Sequence, residues 1–116
     1  IYYFCTMRTL LRSDDFNEFY EDLPSSVQKK IDYALNVISE IKVVNKKLVK
    51  NLIGTDFYEL RISVNNEYRV IIFTIDHDSF IEAEQILLLN GYMKKSTKDY
   101  KKEIAKAEAI INKLSL

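Results

Sequence analysis

Residues 57–75 read FYELRISVNNEYRVIIFTI and carry the strongest β-strand signal of the chain. In residues 57–64, apolar and polar side chains alternate, which is typical of a strand with one buried face. The side chains on that face are Tyr58, Leu60, Ile62 and Val64. Residues 68–75 form a nearly continuous apolar run, which is typical of a central strand buried on both faces. Because Asn65 and Asn66 tolerate positive φ, we predict a hairpin turn between the two strands.

The segments around this hairpin predict the rest of the sheet. Residues 76–79 (DHDS) predict a second turn, and residues 80–92 predict a third strand that completes a three-strand meander. Near the end of that strand, Gly91 predicts a β-bulge or a point where another group approaches the backbone closely. Residues 2–9 predict an N-terminal strand because aromatic residues and threonine favour a pleated surface, although they also fit the entry to a helix.

Apolar residues at helical spacing predict three helices. A short helix begins after Ser13, which suits a helix cap, and ends before Pro24. The second helix, roughly over residues 25–43, has the clearest periodicity and forms a helical hairpin with the first. Residues 45–51 predict frayed helix or loop, and a last helix covers about 99–114.

The order of these elements predicts a single compact α+β domain over residues 1–116. An N-terminal strand and the meander make a small antiparallel sheet, and the helical hairpin and the C-terminal helix pack on one face of it. The length fits one domain. The composition, 47% hydrophobic and 29% charged, is ordinary for a soluble globular protein.

The composition also excludes several kinds of site. The single cysteine, Cys5, cannot form an internal disulfide, and with His77 it cannot supply the four ligands of a structural zinc site. Cys5 fits a small buried residue, and His77 fits a solvated turn. Two glycines cannot build a phosphate-binding loop, and no run of about 20 apolar residues is present to span a membrane. The lone cysteine favours a reducing compartment, and we predict the cytoplasm.

The net charge of zero hides opposed blocks along the chain. Residues 41–50 and 93–116 each carry +4, whereas residues 1–40 carry −3 and residues 51–92 carry −5. A local positive field can therefore exist without a net charge.

Two arginines stand out because they lie inside predicted strands. Arg61 and Arg69 fall on the two strands of the hairpin. A two-residue turn would place them on opposite faces of the sheet, whereas a three- or five-residue connection would place them on the same face. The sequence leaves both registers open.

Further cations follow directly on the third strand, at Lys94, Lys95 and Lys98. If that strand lies beside the Arg69 strand, these cations gather at one end of the sheet, where Tyr68 and Tyr92 also lie. Several cations with a tyrosine or two suit the binding of a phosphodiester and the stacking of a base. The alternative is that the arginines only pair with neighbouring carboxylates and that the lysines form a solvated tail.

Five segments, in chain order, resemble motifs of the RelE/HigB-like toxins, and most closely the phage-derived HigB-like branch. They are residues 23–31 (LPSSVQKKI), 52–61 (LIGTDFYELR), 68–73 (YRVIIF), 87–96 (LLLNGYMKKS) and 102–107 (KEIAKA). The resemblance implies a small antiparallel sheet packed with helices, and the toxin of a type II toxin–antitoxin system. It also implies a metal-independent endoribonuclease without a cofactor that cuts mRNA, usually on the ribosome. The partner it implies is a small antitoxin, often a helix-turn-helix DNA-binding protein.

Metal-independent RNA cleavage uses the substrate's own 2′-hydroxyl as nucleophile, and it needs a base, cations for the phosphorane and an acid for the leaving oxygen. The resemblance implies the catalytic candidates Arg61, Arg69, Lys94, Lys95, Tyr92 and Glu59, and the RNA-binding candidates Lys98, Tyr68 and Lys50. Arg69 is expected to hold the phosphate with help from the other cations. Tyr92 would stack on a base or position the 2′-hydroxyl, and Glu59 is a possible base if it faces the site.

One position departs from the family pattern. Asn90 stands where the branch commonly has histidine, and asparagine cannot shuttle a proton near neutral pH. A lysine beside the arginines could substitute, because burial readily lowers the pKa of a lysine. The second hypothesis is therefore a catalytically weak or inactive module that binds an antitoxin-like protein or RNA. Because a neutral chain neutralises few phosphates, we expect the ribosome to present any RNA that is cut.

Overall fold

The computed structural model describes residues 7–96 and 99–114, which contain five strands and three helices. The elements are β1 (Thr9–Arg12), α1 (Asp14–Glu21), α2 (Ser25–Glu40), β2 (Val49–Asn51), β3 (Phe57–Val64), β4 (Asn66–Thr74), β5 (Gln85–Lys94) and α3 (Asp99–Leu114). The strands form one sheet in the order β1-β5-β4-β3-β2. β1 lies parallel to β5, and the other neighbouring strands are antiparallel. The predicted α+β class and the meander β3-β4-β5 are confirmed.

The largest differences between the observed and the predicted strands lie in three places. The first described strand is β1, and the predicted strand over residues 2–9 lies mostly outside the described residues, as does Cys5. The lysine-rich stretch ends in a short edge strand, β2, because Val49 pairs with Leu60 and is buried in the core. The strand predicted from residue 80 begins only at Gln85. The residues before it form a loop whose Phe80 is buried.

The helices begin where the sequence indicates. Ser13 caps α1, and its hydroxyl accepts a hydrogen bond of 3.0 Å from the amide of Phe16. α2 follows directly on Pro24 and ends at Glu40, three residues before the prediction, because Ile41 is already extended. α3 has the predicted bounds. No helix among the described residues is long and apolar enough to span a membrane.

The helices pack on both faces of the sheet, so the prediction that they share one face is wrong. α1 and α2 cover one face, where the buried side chains include Phe16, Ile31, Leu60, Val70 and Leu88. α3 covers the other face, where Phe57, Ile71, Leu87, Leu89 and Ala107 form a second, smaller core. β3, β4 and β5 contribute to both cores, as expected of strands buried on two faces. The smaller core leaves one end of its sheet face for polar side chains.

Gly91 is a close-approach position, one of the two roles that its place in the sequence predicts, and it directly follows a bulge in β5. The register between β4 and β5 shifts between Val70 and Ile72, because β5 holds an extra residue between Leu88 and Gly91. A Cβ atom at position 91 would collide with the ring of Phe19 in α1. The absence of a side chain therefore lets α1 pack directly onto β5.

A buried cation that the sequence does not signal ties three segments together. The guanidinium of Arg8 donates hydrogen bonds to carbonyls at the end of α2, including Ile38 and Ile41. It also donates to Phe80 and Ala83 in the loop before β5, and it lies 4.3 Å from the centre of the Phe80 ring. Burial lowers the pKa of Arg8 below its usual value. The interactions are charge-assisted and satisfy helix-end carbonyls that would otherwise lack partners.

Candidate functional site

The β3–β4 hairpin places the two strand arginines side by side. Val64 pairs with Asn66, and only Asn65, with φ of 63°, lies between them. In this register Arg61 pairs directly with Arg69. Directly paired residues of neighbouring strands share a face, so both arginines point to the face that α3 covers. The connection is one residue long, shorter than those considered from the sequence, and it places the arginines on the same face, as a three- or five-residue connection would.

The bulge in β5 brings the third strand into the same arrangement. Tyr92 pairs with Arg69, and Lys94 pairs with Glu67. On the other side of the hairpin, Lys50 of β2 pairs with Glu59. A cleft of about 260 Å³ results, lined by Lys50, Asn51, Leu52, Ile53, Glu59, Arg61, Arg69, Tyr92, Lys94 and Tyr100. Four cations and one carboxylate face this cleft, which gives it a positive potential in a protein of zero net charge.

Glu59 lies between the two guanidinium groups. Its Oε1 atom accepts a hydrogen bond of 3.0 Å from Nε of Arg61 and lies 3.7 Å from Nε of Arg69. Glu59 and Arg69 are buried, whereas Arg61 is partly exposed. The shared carboxylate offsets the repulsion of the two arginines and fixes their orientation. The other carboxylate oxygen, Oε2, makes no hydrogen bond with any described residue and is available to a ligand.

A second carboxylate holds Arg69 from the rim of the cleft. Nη1 of Arg69 donates to Oε1 of Glu67 at 3.3 Å and to the carbonyl of Tyr68 at 3.0 Å. The hydroxyl of Ser63 donates to Oε2 of Glu67 at 2.5 Å. The hydrogen bond from Ser63 and that from Arg69 lower the pKa of Glu67 below its usual value of 4.5. The Nη2 group of Arg69 makes no hydrogen bond with the described residues, so it can bind an anion in the cleft.

Six of the predicted site residues line the cleft together: Arg61, Arg69, Lys94, Tyr92, Glu59 and Lys50. Lys95 is exposed just beyond β5 and does not line it. Lys98 lies outside the described residues. Tyr68 was expected to bind RNA, but its side chain is buried in the core on the α1–α2 face. This prediction is wrong because Tyr68 pairs with Ile62 and shares its inward orientation.

Two residues at the mouth of the cleft carry no sequence signal. Ile53 is highly exposed in the loop after β2, and Tyr100 is exposed at the start of α3. They are far apart in sequence, and only the packing of α3 against the sheet brings Tyr100 to the cleft. An exposed aromatic ring next to several cations can stack on a nucleobase.

Asn90 does not line the cleft. It is buried in the bulge of β5 beneath α3, and its Nδ2 donates to the carbonyl and to Oε1 of Glu103, at 3.2 and 3.1 Å. Its Oδ1 is the one buried side-chain oxygen without a partner among the described residues. The departure from the family's histidine therefore removes no group from the cleft lining.

The remaining histidine lies elsewhere. His77 is exposed in the loop after β4, as expected, and its Nδ1 accepts a hydrogen bond of 3.0 Å from the amide of Ser79. No group of three or more His, Cys, Asp or Glu side chains in the described part of the chain is arranged to hold a metal ion.

Comparison with known proteins agrees with this architecture. The chain is similar to the Escherichia coli toxin RelE, solved as an arginine double mutant in the free state, with a TM-score of 0.62 and 16% identity over 86% of this chain and 97% of that one. It is also similar to a chain of the E. coli RelBE toxin–antitoxin complex, with a TM-score of 0.57 and 18% identity over 77% and 99%.

A third similar structure is the RelB–RelE antitoxin–toxin complex of Methanococcus jannaschii, with a TM-score of 0.54 and 25% identity over 78% of this chain and 96% of that one. These likenesses confirm that the fold is that of RelE. No curated protein matches the sequence significantly. The family model described as "Phage derived protein Gp49-like (DUF891)" matches residues 18–112, so the chain belongs to the phage-derived Gp49-like family of RelE-fold proteins.

Proposed function

We propose that this protein is the toxin of a type II toxin–antitoxin pair and a metal-independent endoribonuclease that cuts mRNA on the ribosome. Membership of the Gp49-like family and the RelE fold support the toxin role. Two of the similar structures are toxin–antitoxin complexes, which supports an antitoxin as the partner. The sequence motifs resemble the HigB-like branch, which favours a helix-turn-helix antitoxin and action in the cytoplasm.

The pairing of Arg61 with Arg69 in a cleft that also holds Tyr92 and Lys94 carries the catalytic part of the proposal. Two guanidinium groups on one sheet face are a costly arrangement for stability alone, because like charges directly opposite each other repel. They suit a phosphodiester, whose oxygens accept paired hydrogen bonds from arginine. They suit the phosphorane still better, because it carries more negative charge than the phosphate from which it forms.

These positions are compatible with the following reaction. The substrate's 2′-oxygen attacks the adjacent phosphorus, the bond from phosphorus to the 5′-oxygen breaks, and a 2′,3′-cyclic phosphate and a 5′-hydroxyl end are formed. Arg61 and Arg69 hold the non-bridging oxygens and stabilise the charge that develops on them. Lys94 gives a proton to the leaving 5′-oxygen, and Tyr92 or Tyr100 stacks on a neighbouring base.

Glu59 is the proposed acceptor of the 2′-hydroxyl proton. Its Oε1 atom is held by the two arginines that would bind the phosphate, and Glu59 lines the same cleft, which leaves Oε2 to take the proton. A base must lie within hydrogen-bond reach of the proton that it takes, and a carboxylate fixed beside the phosphate-binding groups meets that requirement. Arg61 thus has two roles, since it contacts substrate and also positions Glu59.

The neutral net charge supports presentation of the substrate by the ribosome. Affinity for free RNA grows with the number of phosphates that a protein neutralises, and here the cations are concentrated in one small cleft. A positive site of this size can hold one or two phosphates of a strand that another particle already orders.

A second candidate function is a binding module that does not cut. The cleft lining contains no imidazole, and Glu59 is partly occupied by its two arginines. Such a protein would bind an antitoxin-like partner or RNA through the same cleft without chemistry.

Induction of the gene in a bacterial host separates the two candidates. The wild-type chain is expected to stop growth and translation, and Arg69→Ala is expected to permit both. Arg12→Ala is the matched control, because Arg12 is exposed and lies at the β1 edge of the sheet, away from the cleft. Normal growth on induction of folded wild-type protein would overturn the toxin proposal, and growth arrest without cleavage of message would favour the binding module.

A further inference from the structure

An apolar groove of about 580 Å³ lies next to the cleft, on the outer side of β2. Its apolar lining comes from the segment around β2 and from the loop before β5, and consists of Val43, Val44, Val49, Ile53, Phe80 and Ile81. Phe80 and Val49 are buried and form the floor. Both floor residues belong to the core beneath α1 and α2, so the groove opens onto the edge of that core. The proposed reaction does not use this apolar floor.

The rim of the groove exposes large aliphatic side chains. Val43 is 68% exposed, Ile53 is 92% exposed and Ile81 is 42% exposed. Single exposed apolar residues are common, but three around one groove form a contiguous patch of the kind that marks an interaction site. Aliphatic side chains bury well against a protein and do not stack on bases, so the groove favours a protein partner over RNA.

The charge around the groove indicates the chemistry of that partner. Residues 41–50 contain four lysines and no acidic residue. Nζ of Lys42 forms a salt bridge with Oε2 of Glu82 at 3.8 Å. The other three lysines, Lys46, Lys47 and Lys50, form no salt bridge within the described residues. Lys46 and Lys50 line the groove itself. An apolar floor beside several lysines is complementary to an amphipathic segment with acidic residues along one side.

The groove and the catalytic cleft share a wall. Lys50, Asn51 and Ile53 line both of them. Within the described part of the chain, β2 is also the last strand of the sheet and has a neighbour on one side only, so extended backbone can approach it. A segment seated in the groove would therefore lie over this wall and reach the mouth of the cleft.

From these observations we infer that the groove is the docking site for an acidic amphipathic segment of the antitoxin, and that the docked segment also covers the cleft. The identity of the partner rests on the proposed function. The site and its chemistry rest on the groove, its exposed rim and its lysines. An acidic segment that pairs with Lys50 removes a cation from the cleft at the same time as it blocks the entrance.

The test uses Val43→Glu and Ile81→Glu in the full chain, since both side chains are exposed and neither lines the cleft. The purified product of the neighbouring gene is the binding probe. Each variant is expected to bind it at least about tenfold more weakly than wild type does, and to stay toxic when both genes are expressed. Tyr33→Glu is the control, because Tyr33 is 69% exposed on α2, and it should bind normally.

A charge variant adds an independent readout. Lys46→Glu should weaken binding, and raising the salt concentration should weaken the wild-type complex more than the Lys46→Glu complex. Unchanged binding by both groove variants, or loss of binding by Tyr33→Glu alone, would overturn the assignment of the groove while leaving the proposed function intact. A wild-type chain that binds through the groove but is not toxic would instead overturn the proposed function and leave the groove in place.

Discussion

Arg61 lies directly opposite Arg69 on neighbouring strands, and both side chains point to the same face of the sheet. Like charges in this position destabilise a β-sheet, so the pair requires compensation. Glu59 supplies it, with Oε1 at 3.0 Å from Nε of Arg61 and 3.7 Å from Nε of Arg69. Concentrated positive charge lowers the stability of the fold, but it is what a site needs in order to bind and stabilise a negatively charged phosphorane.

Replacing Arg61 should therefore separate activity from stability. Arg61→Gln removes one member of the opposed pair while Arg69 still neutralises Glu59, so the free energy of unfolding is expected to change by less than about 0.5 kcal/mol. The rate of RNA cleavage should fall by about 10²–10³, because one donor to the developing charge is lost. Denaturant unfolding and a cleavage assay on translating ribosomes measure the two quantities. A variant that unfolds easily and cuts normally would assign Arg61 a structural role only.

Replacing Glu59 should affect both quantities and the pH profile. Glu59→Gln leaves the two arginines without their shared anion, and the free energy of unfolding is expected to fall by about 1–3 kcal/mol. If Glu59 is the base, the wild-type rate should fall at acidic pH, which gives the pH profile an acidic limb. The variant should lose this limb, and its rate should be lower by a factor of about 10²–10⁴. Glu67→Gln is the control, since Glu67 contacts Arg69 from the rim and should keep the limb. An acidic limb that survives in Glu59→Gln would show that another group takes the proton.

Much of this fold could be predicted from the sequence, because its strong signals are local. The alternation in residues 57–64, the Ser13 cap and the Gly91 signal each depend on a few adjacent residues, and all three agree with the structure. β2 is different. Its composition is typical of a solvated loop, and it becomes a strand only because Val49 pairs with Leu60 across the sheet.

Gly91 gives a direct test of the packing between α1 and β5. Gly91→Ala puts a methyl group into the ring of Phe19, and the free energy of unfolding is expected to fall by about 1–3 kcal/mol. Phe19→Leu in the same chain should restore part of the loss, because it opens space at the contact. Thermal unfolding of the two single variants and the double variant measures the coupling. Additive effects of the two substitutions would mean that the predicted collision does not occur.

Asp76, in the loop before β5, is expected to make the stability of the fold depend on pH. The carboxylate of Asp76 accepts hydrogen bonds from the amides of Gln85 and Glu84, and these bonds lower its pKa below the usual value of 3.8. A carboxyl group whose folded pKa is lowered contributes stability above its unfolded pKa and loses it as the pH falls through the folded value. Wild type should therefore be more stable than Asp76→Asn at pH 6, and the difference should shrink below about pH 4. A difference that is constant between pH 6 and pH 3 would contradict this role.

The cleft itself was only partly predictable. Changing the hairpin connection by one residue moves Arg61 or Arg69 to the opposite face, and the pair Asn65-Asn66 fits either register. The apolar run in β4 does not alternate with polar residues, so it does not indicate which face each residue occupies. The sequence therefore gives no sign that the side chain of Tyr68 is buried. Tyr100 joins the cleft through the packing of α3, a long-range contact without a local sequence signal.

The proposed cleavage reaction can be tested with purified protein added to ribosomes that translate a defined mRNA. Wild-type protein should cut the ribosome-bound message, leaving 2′,3′-cyclic phosphate and 5′-hydroxyl ends, and should leave the same message intact when it is free. Arg69→Ala should cut neither, and Arg12→Ala should behave as wild type. Folded wild-type protein that leaves the bound message intact, or that produces 3′-hydroxyl and 5′-phosphate ends, would contradict the proposed reaction.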